Sequence, residues 1–223
     1  MKSKAVLIAT LLLINLMPLV YLALIWRSLP EQVPMHYNIH NQVDRMGSRN
    51  EQLYLTLFMS AIGFGVALLM LFIHKIDPKK SYSENSNLMR KMAWTVSIFI
   101  SILSGFIIYQ AQTFAKSENF SFSGKTVLVL VSLIFVVLGN FINNVKPNYF
   151  VGFRTPWNLE NEENWRLTHR LASKLMFFGG IGLILLVLVL PEPYSAYAFT
   201  ASLIPIVLVP FVYSYLLFKR EKQ

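Results

Sequence analysis

The stretch AVLIATLLLINLMPLVYLALIW, Ala5 to Trp26, is apolar almost without a break. A helix that crosses a bilayer needs roughly 20 such residues. Its apolar positions run on continuously, whereas an outer-membrane strand alternates every second residue, so the stretch reads as a transmembrane helix. Lys2 and Lys4 precede it as they would a signal peptide. The run is too long for one, however, and YLALIWRSLP (Tyr21–Pro30) offers no small-x-small cleavage site, so a retained anchor is expected.

The rest of the 223-residue chain repeats the pattern. It is 55% hydrophobic and 14% charged, with a mean hydropathy of +0.50, well beyond what a soluble domain tolerates. Five further spans are expected at 53–73, 92–114, 126–142, 171–190 and 194–218, the fourth being the shortest. They leave two long connections, 27–52 and 143–170. The fold expected is a single all-α integral membrane domain, residues 1–223, built as a bundle of six transmembrane helices.

Lysine and arginine decide its orientation, because short positively charged loops stay cytoplasmic. With the N-terminus inside, the inner segments hold Lys2, Lys4, Lys75, Lys79, Lys80, Arg90, Lys91, Lys146, Arg154, Arg166, Arg170, Lys174, Lys219, Arg220 and Lys222. The outer segments hold only Arg27, Arg45, Arg49, Lys116 and Lys125. Both termini and the 143–170 loop are then cytoplasmic, and the 27–52 loop faces outward. The net charge of +9 follows from membrane topology, with no need of nucleic acid. The lipid bilayer of the plasma membrane is the first partner expected.

Every Asp and Glu falls outside the spans, and all four histidines fall in loops or, for His74, at a span edge. A mid-membrane charge marks ion and proton paths, so a proton-coupled transporter is disfavoured. Ser97, Ser101 and Ser104 share a helix face in the third span. They suit a polar path through a facilitator or a toxin-contact face, but more simply close helix packing, as do Gly63, Ala67, Gly179, Gly180 and Gly182. Pro18, Pro205 and Pro210 are expected to kink their spans. With no cysteine, no Ser-His-Asp order and no phosphate loop, neither an enzyme nor a cofactor is expected.

In the outer loop, Pro30, Pro34, Asn41 and Gly47 imply a compact, turn-rich segment. His36, His40 and Asp44, spaced by four, could share a helix face and hold a metal. The prolines oppose a helix there, so no metal is expected and hydrogen bonding within the loop is the better reading. In the inner loop, Arg154 offers a planar fork, Trp157 suits the headgroup level, and Asn161 is an N-cap followed by Glu162 and Glu163. Trp165 and His169 then share a face of a short interfacial helix that runs into the fifth span.

Two elements together resemble a known family. Pro34, His36, Tyr37, Asn38, Asp44, Gly47 and Ser48 form the first; Asn144, Pro147, Asn148, Gly152, Arg154, Pro156 and Trp157, followed by Trp165, Thr168 and His169, form the second. In this order they are similar to the signatures of SdpI-like membrane proteins, immunity and signalling proteins for a secreted sporulation-delay toxin of Gram-positive bacteria. Asn41 stands where the first signature has glycine, and asparagine is the next most tolerant residue for a left-handed turn. The resemblance implies protection against a secreted peptide toxin, with His36, Asn38, Asp44, Gly47 and Ser48 on the toxin side. It implies a cytoplasmic docking loop of Asn148, Gly152, Arg154, Trp157, Trp165 and His169. In the family's signalling members such a loop captures a transcriptional repressor at the membrane.

Overall fold

The computed structural model describes residues 2–79, 86–116 and 124–221, without the side chains of residues 2, 3, 86, 115 and 116. Among these described residues, six helices are long and apolar enough to cross a membrane. They are α1 (Lys2–Ile25), α2 (Arg49–Ile76), α3 (Ser86–Lys116), α4 (Gly124–Ile142), α6 (Glu162–Val189) and α7 (Tyr194–Glu221). A 3₁₀ turn (Trp26–Ser28) and an antiparallel hairpin of β1 (Gln32–Tyr37) and β2 (Val43–Ser48) join α1 to α2, and a short α5 (Pro156–Glu160) precedes α6. Of the basic residues used for orientation, the side chains of Lys2, Lys80, Lys116 and Lys222 lie outside the described residues.

The expected spans all recur, but several helices outrun them. α2 begins at Arg49 rather than at residue 53, and α6 at Glu162 rather than at 171. Hydropathy marks where lipid begins, whereas a helix begins where its first amides are capped. Every described carboxylate sits at a helix end or in a connection. His169, expected on the short helix that runs into the fifth span, lies two turns inside α6 and is fully buried. α1 continues through Pro18, and α7 through Pro205 and Pro210.

The chain forms two compact units, and α2 and α3 each run through both. The first comprises Met1–Leu69 and Ala93–Val127. Its apolar core joins Leu22, Leu29, Val33, Ile108 and Ala111, with Arg49 lying over the Trp26 ring. Tyr21 donates to Gln112 Oε1 at 2.9 Å, and Ser101 to the Ile14 carbonyl at 2.9 Å, tying α3 to α1. Large side chains on the opposite faces, such as Leu24 at 80% exposure, are what lipid-facing helix surfaces present.

The second unit comprises Met70–Met92 and Leu128–Gln223. Small residues bring its helices together. A methyl group on Gly139 would lie 2.6 Å from the Phe177 amide nitrogen, and one on Gly180 would lie 3.0 Å from the Ser132 carbonyl. Ser173 reinforces the first contact by donating to the Gly139 carbonyl at 2.7 Å. Gly179 packs on Ile206, but Gly182 faces open space, so close packing does not account for it.

Candidate functional site

The hairpin takes its shape from side chains that replace missing backbone partners. Asn38 Oδ1 accepts from the His40 and Gln42 amides at 2.9 and 3.0 Å, and Asn41 takes the left-handed turn at φ 58°. Asparagine therefore fills the conformational role of the glycine it replaces. His36 Nδ1 and Asp44 Oδ1 lie 2.6 Å apart across the strands, both substantially exposed. Hydrogen bonding within the loop is thus what the structure places here; among the described residues no three His, Asp or Glu groups converge as metal ligands. Burial pushes the Tyr37 phenol up to about 12, so it stays neutral at physiological pH.

Gly47 and Ser48 belong to the start of α2. Ser48 Oγ accepts from the Glu51 amide at 3.2 Å, and Glu51 Oε1 accepts from the Ser48 amide at 3.1 Å, a reciprocal cap. Arg45 holds the other oxygen of Glu51 at 3.0 Å, and a side chain on Gly47 would strike that carboxylate at 2.9 Å. Glu51→Ala is expected to cost about 1 kcal/mol through the lost cap, read as a lower midpoint in thermal unfolding of the detergent-solubilised protein.

The connector between α4 and α6 is knitted more densely. Asn148, fully buried, accepts from the Phe150 and Val151 amides at 2.8 and 2.6 Å and donates to the Lys146 and Val151 carbonyls at 2.9 and 2.8 Å. Gly152 follows at φ +113°, a region that side chains rarely enter, and a Cβ there would run into His169 Nε2. That nitrogen accepts from the Phe153 amide at 3.2 Å. An accepting Nε2 requires the proton on Nδ1, which donates to the Trp165 carbonyl at 2.9 Å, so His169 is a neutral imidazole of defined tautomer. Trp165 stacks on it with ring centroids 4.0 Å apart and donates its indole N–H to the Val145 carbonyl at 2.7 Å.

A second knot ties the connector to α7. Thr155 caps α5 in a reciprocal box with Asn158, and Pro156 occupies the first turn, where its missing N–H costs nothing. Ser214 of α7 is the hub. It donates to Asn164 Oδ1 at 2.9 Å, so its oxygen accepts from Trp157 Nε1 at 2.8 Å and from the Thr155 hydroxyl at 3.0 Å. Asn164 returns a bond to the Ser214 carbonyl at 3.0 Å. Trp157 stacks on Phe218, and Asn161 caps α6 while donating to Glu221 at 2.8 Å. Lys79 donates to the Leu159 carbonyl and lies over the Tyr149 ring.

These contacts sort the sequence-predicted residues. Asn148, Trp165 and His169 are buried in this structure, Trp165 with a surface 2% exposed and its N–H committed to the Val145 carbonyl. Trp157 is half-buried and pinned to α7. Arg154 stays exposed, its guanidinium donating to the carbonyl of the exposed Tyr149, and Glu160, Arg166 and Arg170 share that exposure. Sequence reasoning missed Glu51, Asn158, Asn164 and Ser214. Ser48-x-x-Glu51 and Thr155-Pro-x-Asn158 carried capping signals, whereas a serine in an apolar helix fifty residues from Asn164 carried none.

Six bilayer-length helices, an ordered hairpin and a knitted connector define an integral, multi-pass protein of the cell membrane. Residues 144–214 match the SdpI/YfhL protein family, and residues 13–61 match Domain of unknown function (DUF1648). The chain is 26% identical over 179 residues to the Immunity protein SdpI of Bacillus subtilis (strain 168), a match spanning 75% of this chain and 80% of that one. Over these residues the chain is similar to SdpI-like membrane proteins, and the relative it matches is named an immunity protein. No solved structure matches.

Proposed function

We propose that this protein protects its cell against a secreted peptide toxin, with the hairpin outside and both termini and the 143–161 connector in the cytoplasm. What supports the reading is the relative named an immunity protein, which the chain resembles over 179 residues. The family match at 144–214 falls on the part of the chain that holds most of the network between Asn148 and Ser214. The hairpin, with His36, Asn38, Asp44, Gly47 and Ser48, is the toxin-side surface. In a signalling role the connector captures a cytoplasmic transcriptional repressor when toxin is bound. Such coupling requires toxin to bind one conformation better than the other.

The burial of Trp165 and the pinning of Trp157 leave Arg154 and Tyr149 as the contact residues of that surface. Deleting the gene and challenging cells with the secreted peptide is expected to raise sensitivity, restored by the intact gene; unchanged sensitivity would reject protection. Arg154→Ala is expected to spare protection and abolish recruitment of the repressor to membranes, seen by fractionation with toxin present. Retained recruitment would reject that surface.

A further inference from the structure

α2 turns one polar stripe inward, with Gln52, Thr56, Ser60 and Gly63 buried at steps of three or four residues. α3 faces the same interior with Ser97 and Ser104, and α1 with Asn15, all buried. The three helices meet at one level. The Cα hydrogen that replaces a side chain at Gly63 points at Asn15 Oδ1, and a Cβ there would also lie 3.2 Å from Ile100. From that level, Ser60 on α2 and Ser104 on α3 each lie about one turn, roughly 5 Å, toward the hairpin end. Ser97 lies about a turn the other way, and Gln52 about 16 Å toward the hairpin.

Along this line Asn15 Oδ1, Gln52 Oε1 and the hydroxyls of Ser60, Ser97 and Ser104 have no hydrogen-bond partner among the described residues. A serine can rotate onto a carbonyl of its own helix. Amide oxygens cannot: they are acceptors and need a donor, and the Gly63 C–H is a weak one. In hydrocarbon each unsatisfied group costs several kcal/mol, and lipid tails offer no donor. A single cation would require the five oxygens to converge, yet they are spread over about 20 Å of helix. Water supplies two donors and typically makes about three bonds in a buried site.

We propose that α1, α2 and α3 enclose a hydrated seam, a line of bound water held by Asn15, Gln52, Ser60, Ser97 and Ser104. The claim concerns the first unit alone and is independent of the immunity reading. Because the chain has no cysteine, a thiol introduced at one position is the sole S–H group in the protein. Ser60→Cys, Ser104→Cys and Ser97→Cys keep a side chain of similar size, and Leu22→Cys places the same thiol in the dry apolar core of the same unit. Each full-length variant is reconstituted into liposomes and moved into D₂O, and its infrared S–H band is followed. The seam predicts prompt conversion to S–D at the three serine positions and a persisting S–H band at Leu22→Cys. Persistence at all three serine positions, in variants that elute and melt like the parent, would overturn it. So would equal exchange at Leu22→Cys. Three independent positions keep the test decisive if one variant fails to fold.

Discussion

Trp165→Ala is expected to lower stability by about 3–5 kcal/mol, the range for removing a buried Trp or Phe from a packed site. The indole is one of the most enclosed side chains of the second unit, stacked at 4.0 Å on His169. Its loss also leaves the Val145 carbonyl without the donor that reaches it at 2.7 Å. Trp165→Phe separates the two contributions: it keeps a ring against the imidazole but orphans the carbonyl, for an expected cost of about 1–3 kcal/mol. Arg154→Ala, on the exposed face, is expected to change stability by no more than about 0.5 kcal/mol. Thermal unfolding in detergent measures all three. Equal midpoints for Trp165→Ala and Arg154→Ala would remove Trp165 from the scaffold.

Gly152→Ala is expected to cost about 3 kcal/mol or more, from two sources. The backbone at φ +113° is a conformation that costs about 1–3 kcal/mol for a residue with a side chain. The new methyl group also strikes His169 Nε2, so the imidazole must turn away and release the Phe153 amide. The two are separable by a double-mutant cycle. In a His169→Ala background, Gly152→Ala meets no ring and retains only the backbone cost, leaving a coupling of about 0.5–3 kcal/mol between the positions. Zero coupling would show that the ring does not oppose the methyl group.

Six helices were legible because a bilayer demands long apolar runs, and each run stands out alone, as Ala5–Trp26 does. The start of α6 was legible for a similar reason: Asn161, Glu162 and Glu163 are local signals, and Trp165 and His169 four residues apart had to share a face. The hairpin was legible only as a compact, turn-rich loop. Its strands are short, and the alternation that marks a half-buried strand is interrupted by the bulges near Pro34 and His36. The knot at Ser214 was illegible, because its partners Thr155, Trp157 and Asn164 meet it through tertiary packing of α5, α6 and α7. The burial of Trp165 was not legible either. A tryptophan beside arginines reads as a contact residue, but the Val145 carbonyl and the His169 ring claim it first.

The proposed division of labour between a sensing hairpin and a docking connector requires the two to face opposite compartments. His40→Cys on the hairpin and Glu160→Cys on the connector, each the sole thiol of its chain, are exposed positions that a membrane-impermeant maleimide can report. In intact cells His40→Cys is expected to be labelled, and Glu160→Cys only after the membrane is opened. Labelling of Glu160→Cys from outside, with His40→Cys protected, would contradict the account.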